Sequence, residues 1–298
     1  MSGARVPTAT HASPARANLL ALGAIGLWAS LAALGVQLGH LPPLLLTGIG
    51  LLVGSVPSWH RWREWRVAPG TLALGVYGLF CYHFLLFVAL QHAPPVEANL
   101  VNYLWPLLIV VLAPGLLAGV VLRPVHVVAA VFGFAGAALA ILGGREAGAL
   151  DGSGPGAIGG YLAAAGSAFI WATYSLATRR LSDRGQGFPT AAIGLFGLVS
   201  GLLSLLCHLL LEPRVALGAR ELALLAAMGL GPLGASFYLW DAALKRGDPR
   251  TIGVLSYLTP LGSTLCLVAT TGRAFTLSLL AAALMITAAA AMAARAGR

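Results

Sequence analysis

The chain is short of charge. Of 298 residues only 9% are Asp, Glu, Lys or Arg, and only nine of those are acidic, against about a quarter charged in an ordinary soluble domain. A water-facing surface cannot be assembled from so little, which excludes a soluble enzyme and any large domain outside a membrane. Cysteine is equally scarce. Cys81, Cys207 and Cys266 all fall within apolar runs, so they read as small buried hydrophobes and not as a disulfide framework or a thiolate metal site. Catalytic signatures are missing too. There is no His-Glu-x-x-His pair for zinc, no phosphate-binding loop, and Gly197-Leu-Val-Ser-Gly201 has the wrong spacing for a Gly-x-Ser-Gly nucleophile. The 18 basic residues bring the net charge to +9, yet they are scattered among loops and form no stripe, which argues against a nucleic-acid partner.

What the chain has is apolar length. It is 58% hydrophobic, with a mean hydropathy of +0.87. A window of about 19 residues finds ten runs: 18–39, 41–58, 70–91, 95–113, 125–143, 157–179, 188–211, 221–243, 250–270 and 275–294. They are continuous and long, with no period-two alternation, so they read as helices and not as barrel strands. Pro42-Pro43, Pro94-Pro95, Pro124, Pro189, Pro213 and Pro249 stand at or near the breaks, where a missing N–H matters least. The first run is too long for a cleaved signal peptide, and residues 1–17 read as a short cytoplasmic tail. With the N-terminus inside, 14 basic residues fall on the cytoplasmic side and 4 outside, a bias that puts both termini in the cytoplasm.

The two halves resemble each other. At an offset of 154 residues Leu85, Ala89, Leu90, Pro95, Tyr103, Leu104 and Pro106 fall on Leu239, Ala243, Leu244, Pro249, Tyr257, Leu258 and Pro260; at an offset of 143, Gly23, Trp28 and Ala29 fall on Gly166, Trp171 and Ala172. Five runs per half is an odd number, so the second copy runs the opposite way through the bilayer. Gln91–Pro95 carries no Lys or Arg, whereas its counterpart Lys245–Arg250 carries three. The expected architecture is an all-α integral membrane protein: ten transmembrane helices as two inverted five-helix repeats around a central cavity. Residues 18–144 form the first repeat, the Gly-rich stretch 145–156 a flexible periplasmic linker, and 157–298 the second. Inverted repeats are the mark of secondary transporters.

The residues that carry a family resemblance are Gly-Leu-Trp28-Ala-Ser with its partner Ile-Trp171-Ala-Thr-Tyr174, Asn99-Leu-Val-Asn102-Tyr103-Leu-Trp105-Pro106 after Ala-Leu90, and Ser256-Tyr257-Leu-Thr-Pro260 after Ala-Leu244. On these, residues 18–294 resemble the drug/metabolite transporter superfamily, EamA type, and within it most resemble the YddG-type bacterial exporters of aromatic amino acids. The resemblance implies a basket of ten helices with spans 1, 3, 4, 6, 8 and 9 lining the cavity. It also implies export of aromatic and other neutral amino acids across a bacterial inner membrane by alternating access, by a monomer in membrane lipid, with no cofactor and no metal. Export of another hydrophobic metabolite or drug with proton coupling stays open, as does the rival class of a membrane enzyme.

Candidate substrate contacts are polar or aromatic groups at mid-membrane depth, which are expensive in hydrocarbon unless they face a cavity or one another. Tyr82 and His83 lie mid-way along span 3. Asn99 and Asn102 share a face of span 4 and bear donors and an acceptor suited to a zwitterion, with Tyr103 beside them. Trp28, Trp171 and Tyr174 offer apolar rings from equivalent positions, and Tyr238 and Tyr257 add rings from the second half. Pro106 and Pro260 sit about 11 residues, or about 16 Å, into their spans, where each is expected to kink the helix as a hinge. Each of these residues has a bland alternative as packing or interhelical glue. Asp241, the one carboxylate well inside a span, is expected to pair with Lys245 one turn later. Trp59, Trp62 and Trp65 read as an interfacial belt, His208 as structural, and the pairs Gly50/Gly54, Gly115/Gly119 and Gly197/Gly201 as close helix crossings.

Overall fold

A computed structural model describes residues 14–93, 95–142, 157–271 and 276–296; the linker 145–156 and most of the N-terminal tail lie outside them. Among the described residues there is no strand. Helices follow in the order α1 (Pro14–Ala29), α2 (Leu31–Leu38), α3 (Pro43–Ser55), α4 (Pro69–Val76), α5 (Tyr82–His92), α6 (Pro95–Asn102), α7 (Trp105–Leu116) and α8 (Pro124–Leu142). The second half continues with α9 (Ala157–Asp183), α10 (Ile193–Leu211), α11 (Ala219–Leu230), α12 (Ser236–Arg246), α13 (Pro249–Leu255), α14 (Leu258–Thr271) and α15 (Leu277–Ala296). Six helices open on a proline (Pro14, Pro43, Pro69, Pro95, Pro124 and Pro249), where the absent N–H had no intrahelical partner to lose.

Among the described residues, five stretches are long and apolar enough to cross a membrane: Pro14–Gly35, Pro69–His92, Ala98–Leu116, Thr190–Leu211 and Ala219–Arg246. The other helices are shorter, interrupted or less apolar. The outside of the molecule is greasy: Leu19, Ile158, Leu162, Phe169, Leu210 and Leu284 are at least half exposed, as side chains that face lipid should be.

Several expected spans are interrupted, and the interruptions place the site. The first run breaks at Ser30, whose Oγ donates to the Leu27 carbonyl at 2.7 Å. Tyr77–Cys81 and Gly231–Ala235 are π turns joining α4 to α5 and α11 to α12. Runs 95–113 and 250–270 do not bend about their prolines. Each stops, at Tyr103-Leu104 and at Ser256-Tyr257, and restarts as a new helix. Pro106 and Pro260 then lie in the first turn of α7 and α14, where a proline is well accommodated. The break comes before the proline, and that corrects the expected mid-helix kink.

The most extensive helix pairs are α8 with α15, α3 with α10, α5 with α9 and α1 with α12. Each joins one helix from either half, so the halves interleave. α3 reaches its neighbours through glycine. A Cβ on Gly54 would lie 2.6 Å from the Leu233 carbonyl oxygen and 2.8 Å from the Gly234 Cα; one on Gly201 would lie 2.9 Å from the Gly48 carbonyl oxygen. Gly115 and Gly119 behave otherwise. Both look onto open space, and Gly119 (φ +75°) ends a turn, so that pair is not a crossing. Gly54→Val is therefore expected to destabilise the protein by about 3 kcal/mol, the upper end for overpacking, because the obstacle is backbone and cannot step aside. Gly115→Val is expected to leave the melting temperature in detergent unchanged, and parallel melting curves check the pair.

Polar ties fasten the helix ends. Glu212, just past α10, accepts from the backbone N–H of Leu44 at 3.0 Å and Leu45 at 3.3 Å, supplying the first turn of α3 with the acceptor its orphan donors need. His208 Nδ1 stands 2.9 Å from the same carboxylate, which gives His208 the structural place expected of it. The three cysteines are half-buried thiols, more exposed than their apolar runs suggest.

Candidate functional site

Large rings meet at the centre. Trp28 ends α1, Trp105 opens α7 just after the Tyr103-Leu104 break, Trp171 lies mid-way along α9, and Phe237 and Trp240 share one face of α12. Trp28 has its ring centroid 5.8 Å from that of Trp171, 5.2 Å from Trp240, 6.2 Å from Trp105 and 6.2 Å from Phe237. Trp105 and Trp240 meet edge to face at 5.4 Å, the orientation that the ring quadrupoles favour. All five rings are buried. Tyr174 extends the cluster, 5.5 Å from Trp171, and its ring occupies the notch left by Gly78 in the first π turn.

A polar group adjoins these rings. Tyr82 lies 5.2 Å from Trp171 and 4.9 Å from His83. The Asn102 amide reaches the Tyr82 hydroxyl at 3.2 Å, and Ser167 on α9 lies 2.8 Å from the Asn102 amide oxygen. His83 Nδ1 is 2.6 Å from the Leu79 carbonyl; a carbonyl only accepts, so Nδ1 carries the proton. The His83 ring stands 6.1 Å from Phe237 and 6.4 Å from Phe87. An amide, two hydroxyls and an imidazole thus border a wall of indoles. That combination has the chemistry for both the polar end and the apolar remainder of a small solute. The rings here pack against one another, however, and the two best-formed hollows, at Val127–Ala135 and beside Leu44, Phe87 and Glu212, lie away from them, so the expected central cavity is not open between these rings.

The structure brings together Trp28, Tyr82, His83, Asn102, Trp171 and Tyr174. Asn99 and Tyr103 are half-buried neighbours, with the Tyr103 N–H donating to the Asn99 carbonyl at 3.0 Å. Two expected residues lie apart. Tyr238 sends its hydroxyl to the Gly54 carbonyl at 3.1 Å, between α12 and α3. Tyr257 packs against Phe134 of α8, 6.4 Å between rings, in a separate fully buried cluster with Ala282 and Ile286 of α15. Phe237, Trp240, Trp105 and Ser167 were missing from the expected set. The face of α12 was legible: Phe237, Trp240, Asp241 and Leu244 recur at helical spacing, and Tyr238 falls about 100° off it.

Next to Trp240 stands an ionic knot. Asp241 Oδ2 accepts from Lys245 Nζ at 2.6 Å and from Thr190 Oγ1 at 2.7 Å, and Nζ also donates to the Phe188 carbonyl at 2.7 Å while lying 3.9 Å above the Phe188 ring. Arg179 of α9 donates to the Leu244 carbonyl at 2.8 Å and to the Gly247 carbonyl at 2.5 Å, two acceptors at the end of α12, while Trp240 Nε1 donates to Ser175 Oγ at 3.1 Å. The last two turns of α12 are therefore tied to α9 and to the segment before α10. Among the described residues no group of three His, Cys, Asp or Glu could hold a metal ion.

Interleaved apolar helices around a mixed aromatic and polar centre define a membrane carrier of small solutes. The chain belongs to the EamA-like transporter family, whose family profile matches residues 15–142 and 158–295. It is accordingly a multi-pass membrane transporter and not an enzyme. A protein of Ancylobacter novellus named as the aromatic amino acid exporter YddG is 43% identical over 263 residues, covering 86% of this chain and 89% of that one. Another of the same name from Salmonella typhimurium is 28% identical, covering 83% and 86%. A crystal structure 41% identical in sequence superposes with a TM-score of 0.88 over 96% of this chain and 99% of the other.

Proposed function

We propose that this chain exports aromatic and other neutral amino acids across a bacterial inner membrane by alternating access, through ten transmembrane helices arranged as two inverted five-helix repeats with both termini cytoplasmic. The observation that carries the reading is the junction of the Trp28–Trp105–Trp171–Trp240 cluster with the Tyr82–Asn102–Ser167 group. Indoles suit an aromatic side chain by stacking, and neutral donors and acceptors suit a carboxylate and an ammonium. The relatives named as aromatic amino acid exporters point the same way. The repeat reading draws support from element positions: the second π turn begins 154 residues after the first, and α12 and α13 begin 154 residues after α5 and α6.

Counterflow of labelled tryptophan into proteoliposomes preloaded with unlabelled tryptophan tests the reading. Uptake well above empty vesicles is expected, inhibited by phenylalanine and indifferent to an imposed pH gradient. Uptake no greater than in empty vesicles would overturn it.

A further inference from the structure

Ser167 has one hydroxyl proton and two acceptors at equal range, the Asn102 amide oxygen and the Ala164 carbonyl, each at 2.8 Å. It cannot donate to both. The choice propagates, because the Asn102 amide also touches the Tyr82 hydroxyl and an amide rotated by 180° keeps its shape while exchanging donor and acceptor.

In one arrangement Ser167 donates to the Asn102 oxygen, the Asn102 NH2 donates to the Tyr82 oxygen, and the Tyr82 proton is free to point away from Asn102. In the other, Ser167 donates back to Ala164, the rotated Asn102 donates to Ser167 Oγ, and Tyr82 donates its proton to the Asn102 oxygen. The second makes three internal hydrogen bonds and the first makes two, so the second suits an empty site. The first offers Tyr82 as a donor, and a carboxylate that accepts its proton gains a charge-assisted bond about twice as strong as a neutral one. Tyr82, unlike the five enclosed rings, is only half-buried.

We propose that Ser167 is a positioning residue which, through the orientation of the Asn102 amide, sets the cost of releasing the Tyr82 proton to the carboxylate of the transported amino acid. This rests on the exporter reading and deepens it by saying which end of the solute meets Tyr82. The Tyr82 proton is used internally until a carboxylate claims it. The site thus distinguishes the two ends of a zwitterion with no charged side chain of its own.

The test is inhibition of tryptophan counterflow by three compounds with one ring and different polar groups: L-phenylalanine, 3-phenylpropionate (carboxylate only) and phenethylamine (ammonium only). Ser167→Ala removes two of the three bonds of the internal arrangement and one of the two of the other, so it is expected to strengthen inhibition by phenylalanine and phenylpropionate about fivefold, the effect of one neutral hydrogen bond no longer given up, and to leave phenethylamine within twofold. Ser167→Thr, which restores a hydroxyl, is expected to recover the wild-type pattern. Tyr82→Phe removes the donor itself and must weaken inhibition by the same two compounds about tenfold, the effect of one hydrogen bond to a charged group, while sparing phenethylamine, even if Ser167→Ala folds poorly. An equal change for all three compounds, no change, or a carboxylate-selective loss in Ser167→Ala would overturn the relay while wild-type counterflow leaves the exporter reading intact. Absence of wild-type counterflow would overturn both.

Discussion

Lys245→Met is expected to destabilise the protein by about 3 kcal/mol, and the double variant Asp241→Asn/Lys245→Met to regain most of that loss. The reason is the asymmetry of buried pairs. Asp241 is 3% exposed, and its Oδ1 has no hydrogen-bond partner among the described residues. Its charge is supported through Oδ2 alone, by Lys245 and Thr190. Removing the ammonium leaves a carboxylate uncompensated in a medium of low dielectric, a loss on the order of 3–5 kcal/mol. Removing both charges leaves an amide that still accepts from Thr190 and a thioether lying over the Phe188 ring, a favourable contact in itself. Melting curves for the four members of the cycle in one detergent decide the matter. If the double variant is as unstable as the sum of the singles, the two residues are not coupled and the knot is not a unit.

Trp171→Ala is expected to reduce counterflow of tryptophan by more than tenfold, whereas Trp59→Ala, in the half-exposed ring of the 56–65 segment, is expected to leave it within twofold. Trp171 is the hub of the cluster. Its centroid lies within 6.4 Å of those of Trp28, Tyr82, Trp105, Tyr174, Phe237 and Trp240. Each aromatic pair contributes about 0.5–1.5 kcal/mol beyond area, and truncating a buried Trp typically forfeits about 3–5 kcal/mol. The cavity left behind would let the five facing rings shift and carry Tyr82 away from Asn102. Trp171→Phe, which keeps a ring of smaller area, is expected to fall between. Rates at matched reconstituted amounts, with melting curves as a control for folding, read the effect. Transport by Trp171→Ala at the wild-type rate would show the ring cluster to be packing alone.

Much of this organisation could be read from residue order. Proline marks the starts of α3, α4 and α13 because its fixed φ and missing N–H fit a first turn and little else. The Asp241–Lys245 pair follows from a spacing of four on one helix, and Trp28 and Trp171 follow from a repeated local motif. The rest escaped for identifiable reasons. Periodicity finds apolar length but does not say that a run is two helices end to end, so Pro106 and Pro260 suggested bends where the chain had already stopped and restarted. Tyr238 looked like a site residue by type. It differs from Phe237 by one position, about 100° of rotation, and the rotation decided. Tyr257 was drawn in by the repeat, but repetition equates positions along the chain and not surroundings: its counterpart Tyr103 borders the polar group while Tyr257 is enclosed by α8 and α15. Ser167 was illegible for a plainer reason. A serine in an Ala/Gly-rich helix is unremarkable until the residue 65 positions earlier is found 2.8 Å away, and no local pattern encodes that.

The two wide turns, Tyr77–Cys81 and Gly231–Ala235, set the azimuth of everything that follows them. A π turn accommodates one residue more than an α turn of the same rise, so α5 and α12 emerge rotated by roughly 100° from where an uninterrupted coil would aim them. Wind either turn back to regular α geometry and Tyr82 swings off Asn102, or Trp240 off Trp28, with no change in composition. The aim of the central rings and hydroxyls is held by one surplus peptide in each arm, and a single-residue deletion there would redirect the whole site while leaving the stretches Pro69–His92 and Ala219–Arg246 long enough to span the bilayer.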